Sequence, residues 1–588
     1  FVEYDCMGRA DSVSYLPFAT SVSSGAKVAN PVSEQTAFYS AQFGAGQGEY
    51  ARSHKVYDRS PLGLVLNQTS PGENYTLSGY YSRFEYRLNT QVDSIRRYRM
   101  EGDSSFRFDG YYAAERLTVK RVLAAKDNAT EAEQAQQKES YEYTNAQGQV
   151  IAKEVRGSDG KRRMTYYVYD DLGQQRYVLP PAQHEKLKNG STYRPSQVHL
   201  LSYYTEYNDK GQAVRQWNPG TDCVYSLYDL RGRLALSQSG KQRENNKNEW
   251  SFTKYDEMDR PVLSGIVTGG TYESHQAALN AATVLYEERG SAVHGYTNQS
   301  YPLVTAESDY LTVTYYDDYD WLPANGPHAF STADALGGTP NYRVQGQSTG
   351  SKSKVLGIDT DRWLTMAAYF DSDYQAIQSV ADLYPSGTEI TSNTHDFTGN
   401  VTQTKVKQVV NNTFYEYNKW FEFDNFGRLQ QVSQQITGDE VNGKVILASY
   451  TYDELGHTAT KSIHNGQETE SYGYDLQGRT IQSLSPSFSW WLGFDQTVAK
   501  MTGRYDGNIQ AAVWQHAGET KKAYRYTYDD WGQMTSGIYR SMDNGNSWSV
   551  KNSFKESVAY EKNGTGNINW ISRTDASGVS TSITLGFT

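Results

Sequence analysis

The sequence predicts an all-β fold, a long antiparallel sheet of hairpins with a few short helical inserts, and three observations predict it. A Tyr-Asp-x-x-Gly skeleton returns from one end of the chain to the other. Tyrosine and glycine are both abundant, 49 and 50 of 588 residues against 19 Phe, which suits many short strands and turns. The copies stand mostly 21 to 38 residues apart, room for one hairpin and its connection. A unit that small cannot bury its own apolar face, so successive units must stack into a continuous sheet. Their unequal lengths favour a winding sheet with irregular loops over a solenoid of identical coils.

The unit is clearest at 524–538. Tyr524, Tyr526 and Tyr528 have period two, which in a strand places three rings on one face while Arg525 and Thr527 point to the other. Asp529 ends the strand with a carboxylate that accepts hydrogen bonds from backbone N–H groups two residues on. Gly532 supplies the positive φ that reverses the chain. The same reading makes Asp170 and Gly173, Asp229 and Gly232, Asp424 and Gly427, Asp453 and Gly456, and Asp475 and Gly478 the structural turn residues of their copies.

Residues 1–140 form a first region with divergent repeats and inserts. Tyr4-Asp5 and Gly8-Arg9 already match the skeleton, so the expectation is a chain that begins inside a repeat and belongs to a longer one. Ser33 is the expected N-cap of a short helix, with Glu34 in the favourable first turn. Residues 129–137, rich in Ala, Glu and Gln, have helix propensity without a wide apolar stripe, so an exposed excursion is expected. A dense block over 141–270 carries copies at 143–148, 169–173, 207–211, 228–233 and 255–260. Residues 271–350 read as an insert, with a capped helix from Ser274 that presents Ala278, Leu279, Ala282 and Leu285, followed by the acidic aromatic run 315–321. A second block, 351–588, has copies at 395–399, 423–428, 452–456, 474–479, 505–508, 528–532 and 560–564.

The net charge of −11 arises from 67 acidic and 56 basic residues without long blocks of either sign, which argues against a nucleic-acid partner. No apolar run is long enough to span a membrane. Cys6 and Cys223 are too few for a disulfide framework and fit no metal spacing. His184-Glu185-Lys186-Leu187-Lys188 lacks the second histidine of a zinc motif, and no Gly-Lys-Ser/Thr follows the Gly-rich 44–48. The carboxylate pairs Asp170-Asp171, Asp317-Asp318 and Asp529-Asp530 are adjacent, poorly placed to flank a sugar. Asp317 to Asp320 has the oxygens for calcium but neither the Gly nor the terminal Glu of an EF-hand loop. Trp490, Trp491, Trp514, Trp531 and Trp548 read as packing between strands rather than sugar platforms. No catalytic, cofactor or metal site is expected.

The copies Tyr228-Asp229-Leu230-Arg231-Gly232-Arg233, Tyr474-Asp475-Leu476-Gln477-Gly478-Arg479 and Phe423-Asp424-Asn425-Phe426-Gly427-Arg428 resemble the tyrosine-aspartate repeats of RHS proteins. About a dozen such copies in tandem make the resemblance cover nearly the whole chain. Further stretches, such as Tyr15-Leu16-Pro17-Phe18 and 311–319, are similar to the version common in Bacteroidota. The resemblance implies a strip of sheet that spirals into a hollow shell, secreted or at the bacterial cell surface. It implies a non-enzymatic role: to encapsulate or present a polypeptide, cargo or a C-terminal domain of the same chain, often a toxin. Cell-envelope or secretion-system proteins are further candidate partners. A cell-surface adhesin or structural component of an envelope complex is the alternative, and a carbohydrate-active enzyme a remote one. The sequence lacks the family's core motif, so no self-cleavage residue is carried over.

Overall fold

The computed structural model describes residues 1–9, 12–19, 28–126, 139–156, 161–357, 362–439, 441, 443–496, 498, 501, 503–529, 531–543, 547–560 and 566–585. About 48% of the chain is strand and 9% helix. A single antiparallel sheet of 36 strands runs through these residues, each strand of the ribbon paired with its neighbour in sequence outside the excursions. The ribbon continues without a break across 140, 270 and 350, so the four stretches set apart by composition share one sheet.

Strict alternation of direction places every Tyr-Asp turn on the same rim of the ribbon, here called the turn rim. The connections at 411–412 and 464–467 lie on the other, the return rim. Alternation within strands separates the two faces. In the strand Arg162–Tyr169, Met164, Tyr166 and Val168 are buried while the repeat residue Tyr169 faces the opposite way.

Excursions cover that buried face and build its cores. A small three-stranded sheet, Arg96–Glu101, Ser105–Tyr111 and Thr192–Tyr193, lays Phe106 and Phe108 on Tyr166 and Tyr177. Further on, Leu279, Tyr296 and Val304 pack on Trp250, Phe252, Leu263 and Val313. Trp321 and Phe330 then close over Ala367, Tyr369 and Val380.

Several local expectations change in the fold. The first helix runs Pro31–Phe43, with Asn30 rather than Ser33 at its N-cap. Pro31 sets the first helical φ, and Ser33 Oγ donates to the Asn30 carbonyl at 3.1 Å. The second helix is Tyr272–Ala281. Thr271 and Ser274 cap it reciprocally, and His275 with Leu279 forms its buried face, because Ala282 is already extended. Residues 271–350 are not one insert: the strand Tyr310–Asp317 returns to the ribbon and divides them into two excursions on opposite rims. The copy at 505–508 forms no hairpin. It lies in the connection 494–510 between Phe488–Gly493 and Ala511–His516, which pair directly. The segment 129–137 and the turn at 561–564 lie outside the described residues.

The ribbon winds back on itself. Gln42 Nε2 donates to Glu454 Oε2 at 3.3 Å and Gln477 Nε2 to the Pro71 carbonyl at 3.0 Å, across 412 and 406 residues. Tyr80 and Tyr505 stack with ring centroids 3.5 Å apart, and the Arg163 guanidinium lies 4.5 Å over Trp531. Burial beside Asp495 pushes up the Tyr75 hydroxyl in the same seam. Glu454, Gln477 and Trp531 sit on the turn rim, whereas Pro71 and Arg163 belong to the return rim. The second coil therefore sets its turn rim on the return rim of the first.

Candidate functional site

The residues singled out by the repeat form one device, repeated along the turn rim. At Asp529, Oδ1 accepts the N–H groups of Trp531 and Gln533, both at 2.9 Å. The Gly532 N–H reaches the Asp529 carbonyl at 3.0 Å, and Gly532 has φ 78°. One residue beyond the turn breaks the register of the pair, as a type I turn followed by a left-handed bulge residue requires. Asp170 with Gly173, Asp229 with Gly232, Asp424 with Gly427, Asp453 with Gly456, and Asp475 with Gly478 repeat the geometry, with φ of 76–89° at the glycines.

In four of these copies the second carboxylate oxygen takes a basic side chain four residues on. Arg233 Nε donates to Asp229 Oδ2 at 2.8 Å, Arg428 to Asp424 at 2.7 Å and Arg479 to Asp475 at 2.6 Å. His457 fills the place in its copy, Nδ1 lying 3.0 Å from Asp453 Oδ2. Hydrogen bonds from Thr398, then from Asn400, hold the exposed Asp396 carboxyl down to about 2. At Asp424 desolvation works against ionisation, and the Arg428 N–H and guanidinium outweigh it.

The tyrosine that ends the strand before the turn joins neighbouring units. Its hydroxyl donates to the carbonyl two residues past the preceding turn glycine: Tyr207 to Gln175, Tyr228 to Ala213, Tyr255 to Leu234, Tyr452 to Leu429, Tyr474 to Thr458 and Tyr560 to Met534, at 2.6–3.2 Å. The basic residue of the preceding unit covers the ring. Arg233 lies 4.6 Å from the Tyr255 centroid, Arg428 4.4 Å from Tyr452, and the His457 ring stacks on Tyr474 at 4.6 Å. Sequence reasoning saw these tyrosines only as strand formers; their excess over Phe was the available signal that the hydroxyl has a task.

Two degenerate copies escaped the sequence pattern. Phe370-Asp371 leads a turn in which Tyr374, not Gly, takes φ 60°. Phe494-Asp495 holds the aromatic place under Arg479 at 4.4 Å, and Arg479 also pairs with Asp495 at 3.0 Å.

Several polar groups outside the turns are engaged by neighbours within the protein, whereas both ring nitrogens of His184 are buried without a hydrogen-bond partner. Asp317 accepts both Arg260 and the Gly346 N–H, while Asp318 pairs with Arg289, so two carboxylates of the acidic run face cations of the protein. Lys254 and Glu287 form a fully buried pair at 3.0 Å. The ammonium also donates to Asn298 Oδ1 and the Ser300 carbonyl. Burial opposes ionisation of Glu287, and the Lys254 charge and Ser300 hydroxyl overcome it, holding its carboxyl below the usual range. His184 is buried edge-on to Tyr166, and desolvation drives its imidazole down to about 4. Cys6 is exposed, whereas burial raises the Cys223 thiol to about 12. Trp490 pairs across strands with Trp514, which stacks on Tyr524 at 5.6 Å. Among the described residues, no three His, Cys, Asp or Glu gather as a metal site, and no helix is long and apolar enough to cross a membrane.

A family described as Domain of unknown function (DUF6443) matches residues 1–88. No curated protein matches the chain. Crystal structures of TcdB2-TccC3 resemble it over almost its full length. The form without the hypervariable C-terminal region has a TM-score of 0.60 at 13% identity, covering 99% of this chain and 24% of that one. TcdB2-TccC3-Cdc42 gives the same four values. TcdB2-TccC3-TEV gives 0.59 at 12% identity with the same coverage. The fold is thus that of an RHS-type β-shell, and the chain spans about a quarter of the length of these structures.

Proposed function

We propose that the chain is a non-enzymatic wall of an RHS-type shell, secreted or surface-exposed, which encloses or presents a polypeptide. The observation that carries this reading is the ribbon's return onto itself: a sheet whose second coil seats on its first makes a wall rather than a flat platform. In such a wall, neighbouring strands and coils satisfy one another's backbone groups, which keeps proteases from the space behind. Support for a role without chemistry comes from repeat carboxylates such as Asp229 and Asp475, which accept a backbone N–H group and a guanidinium within their own turns.

Cryo-electron microscopy of the longest parent polypeptide that carries this chain tests the reading. A hollow particle with an enclosed, protease-resistant segment is expected. A solid sandwich without a chamber would overturn it.

A further inference from the structure

Lys254 lies buried on the strand Glu249–Tyr255, and its ammonium donates to three groups of the 269–309 excursion: Glu287 Oε1 and the Ser300 carbonyl at 3.0 Å, and Asn298 Oδ1 at 2.6 Å. Ion pairing alone does not require this arrangement. The Glu287 carboxylate is already satisfied by the Ser300 N–H and hydroxyl, the Gln299 N–H and the Thr297 hydroxyl, at 2.6–3.0 Å. A buried pair of charges contributes little beyond what apolar side chains of the same volume would. Together the three side chains have the composition of an acyl-transfer site: an amine, a carboxamide and a carboxylate base.

The geometry suits attack of the amine on the carboxamide. Because the Asn298 carbonyl bond is about 1.2 Å long, Lys254 Nζ lies no more than about 3.8 Å from Asn298 Cγ. A nucleophile held at such a distance needs no diffusional encounter. The Tyr310 hydroxyl lies 2.9 Å from Asn298 Oδ1 and 3.1 Å from the Val304 carbonyl; turned to Oδ1, it donates where negative charge develops. Asn298 Nδ2 donates to the Val304 carbonyl at 2.7 Å, which fixes the carboxamide plane. The strand and the excursion meet through the apolar core of Phe252, Leu279, Val304 and Tyr310. Burial there draws the Lys254 ammonium below its ordinary value, which eases release of its proton.

We propose that Lys254 and Asn298 join through an intramolecular isopeptide bond, with Glu287 as the base. Glu287 takes one proton from the ammonium, and rotation about the Cε–Nζ bond turns the freed lone pair to Cγ. The Nζ–Cγ bond forms as the carbonyl π pair moves onto Oδ1, beside the Tyr310 hydroxyl. A proton then passes from Nζ to Nδ2, the pair on Oδ1 restores the carbonyl, the Cγ–Nδ2 bond breaks, and neutral ammonia leaves. Glu287 keeps the proton it took, so the pocket is neutral before and after. The ion pair is the reactant state, and the product is a covalent tie between ribbon and excursion across 44 residues. The reaction occurs once per chain and turns over no substrate, which leaves the role of the wall non-enzymatic.

Intact-mass spectrometry of the denatured 588-residue chain, after incubation at neutral pH, tests the proposal. The chain should be lighter than its sequence by one ammonia, and tryptic digestion should yield one branched peptide joining the segments that carry Lys254 and Asn298. Glu287→Gln, which keeps the shape of the side chain, and Asn298→Ala should show their full calculated masses and no branched peptide, with circular dichroism reporting whether each folds. The reading on the parent chain decides even where a variant fails to fold. A parent chain at its full mass, an ammonia deficit located elsewhere, such as a succinimide at another asparagine, or a branched peptide undiminished in Glu287→Gln would overturn the proposal.

Discussion

At the scale of the residue, the repeat tyrosine has a role that its β-propensity does not contain. Its hydroxyl reaches a carbonyl of the preceding unit, and its ring lies under that unit's guanidinium or imidazole. Replacing Tyr255 with Phe keeps the ring and removes the hydroxyl's bond to the Leu234 carbonyl. It should cost about 1 kcal/mol, the usual net worth of such a hydrogen bond, measured as a lower urea midpoint with an unchanged slope. The Lys254–Glu287 pair is a harsher case, because both side chains are wholly buried. Lys254→Met leaves a carboxylate without its counter-charge and should destabilise by about 3–5 kcal/mol in equilibrium unfolding. Neither effect was legible in the sequence. Lys254 and Glu287 stand in different elements, and only the fold of the 269–309 excursion brings them together.

At the scale of the element, the turn was the most legible part of the chain. An Asp, two residues and a Gly carry their own chemistry: the carboxylate caps N–H groups two and four residues on, and glycine alone enters the left-handed region freely. Gly532→Val puts a branched side chain at φ 78° and should cost about 1–2 kcal/mol or more. Faster amide exchange confined to 522–542 is the expected signature. The converse holds at Tyr374, a half-exposed non-glycine residue at φ 60°. Tyr374→Gly relieves that strain and should raise stability by up to about 1 kcal/mol, seen as a higher melting midpoint. This copy was invisible to a pattern that demanded glycine. The 505–508 copy was misread for the opposite reason: its letters fit, but Tyr505 is used to stack on Tyr80 across the seam.

At the scale of the whole molecule, the repeated turns make acid the natural solvent challenge. Thr398 and Asn400 hold Asp396 at about 2, and Asp93 reaches the same value, where burial is outweighed by Arg87 and Thr90. Asp5 and Asp575 are lowered too, by Arg9 and Ser577 respectively. A carboxyl depressed in the folded state contributes fully above its ordinary value near 4 and loses that contribution as pH falls through its folded value. Stability should therefore hold down to about pH 4 and fall between about 4 and 2, with turn-rim amides exchanging first in a pH-resolved hydrogen-exchange series. Retention of full protection at pH 2 would contradict this.

The sequence by itself determined the tile: period-two strands, Asp-capped turns, left-handed glycines, and units too small to stand alone. These follow from interactions between residues a few positions apart, so they are written wherever the letters are. The tertiary structure decided how the tiles meet. It set which carbonyl each tyrosine reaches, which face the excursions bury, and that residues 406 and 412 positions apart form a seam. Those contacts depend on the accumulated twist of dozens of paired strands, a sum no local window of sequence contains.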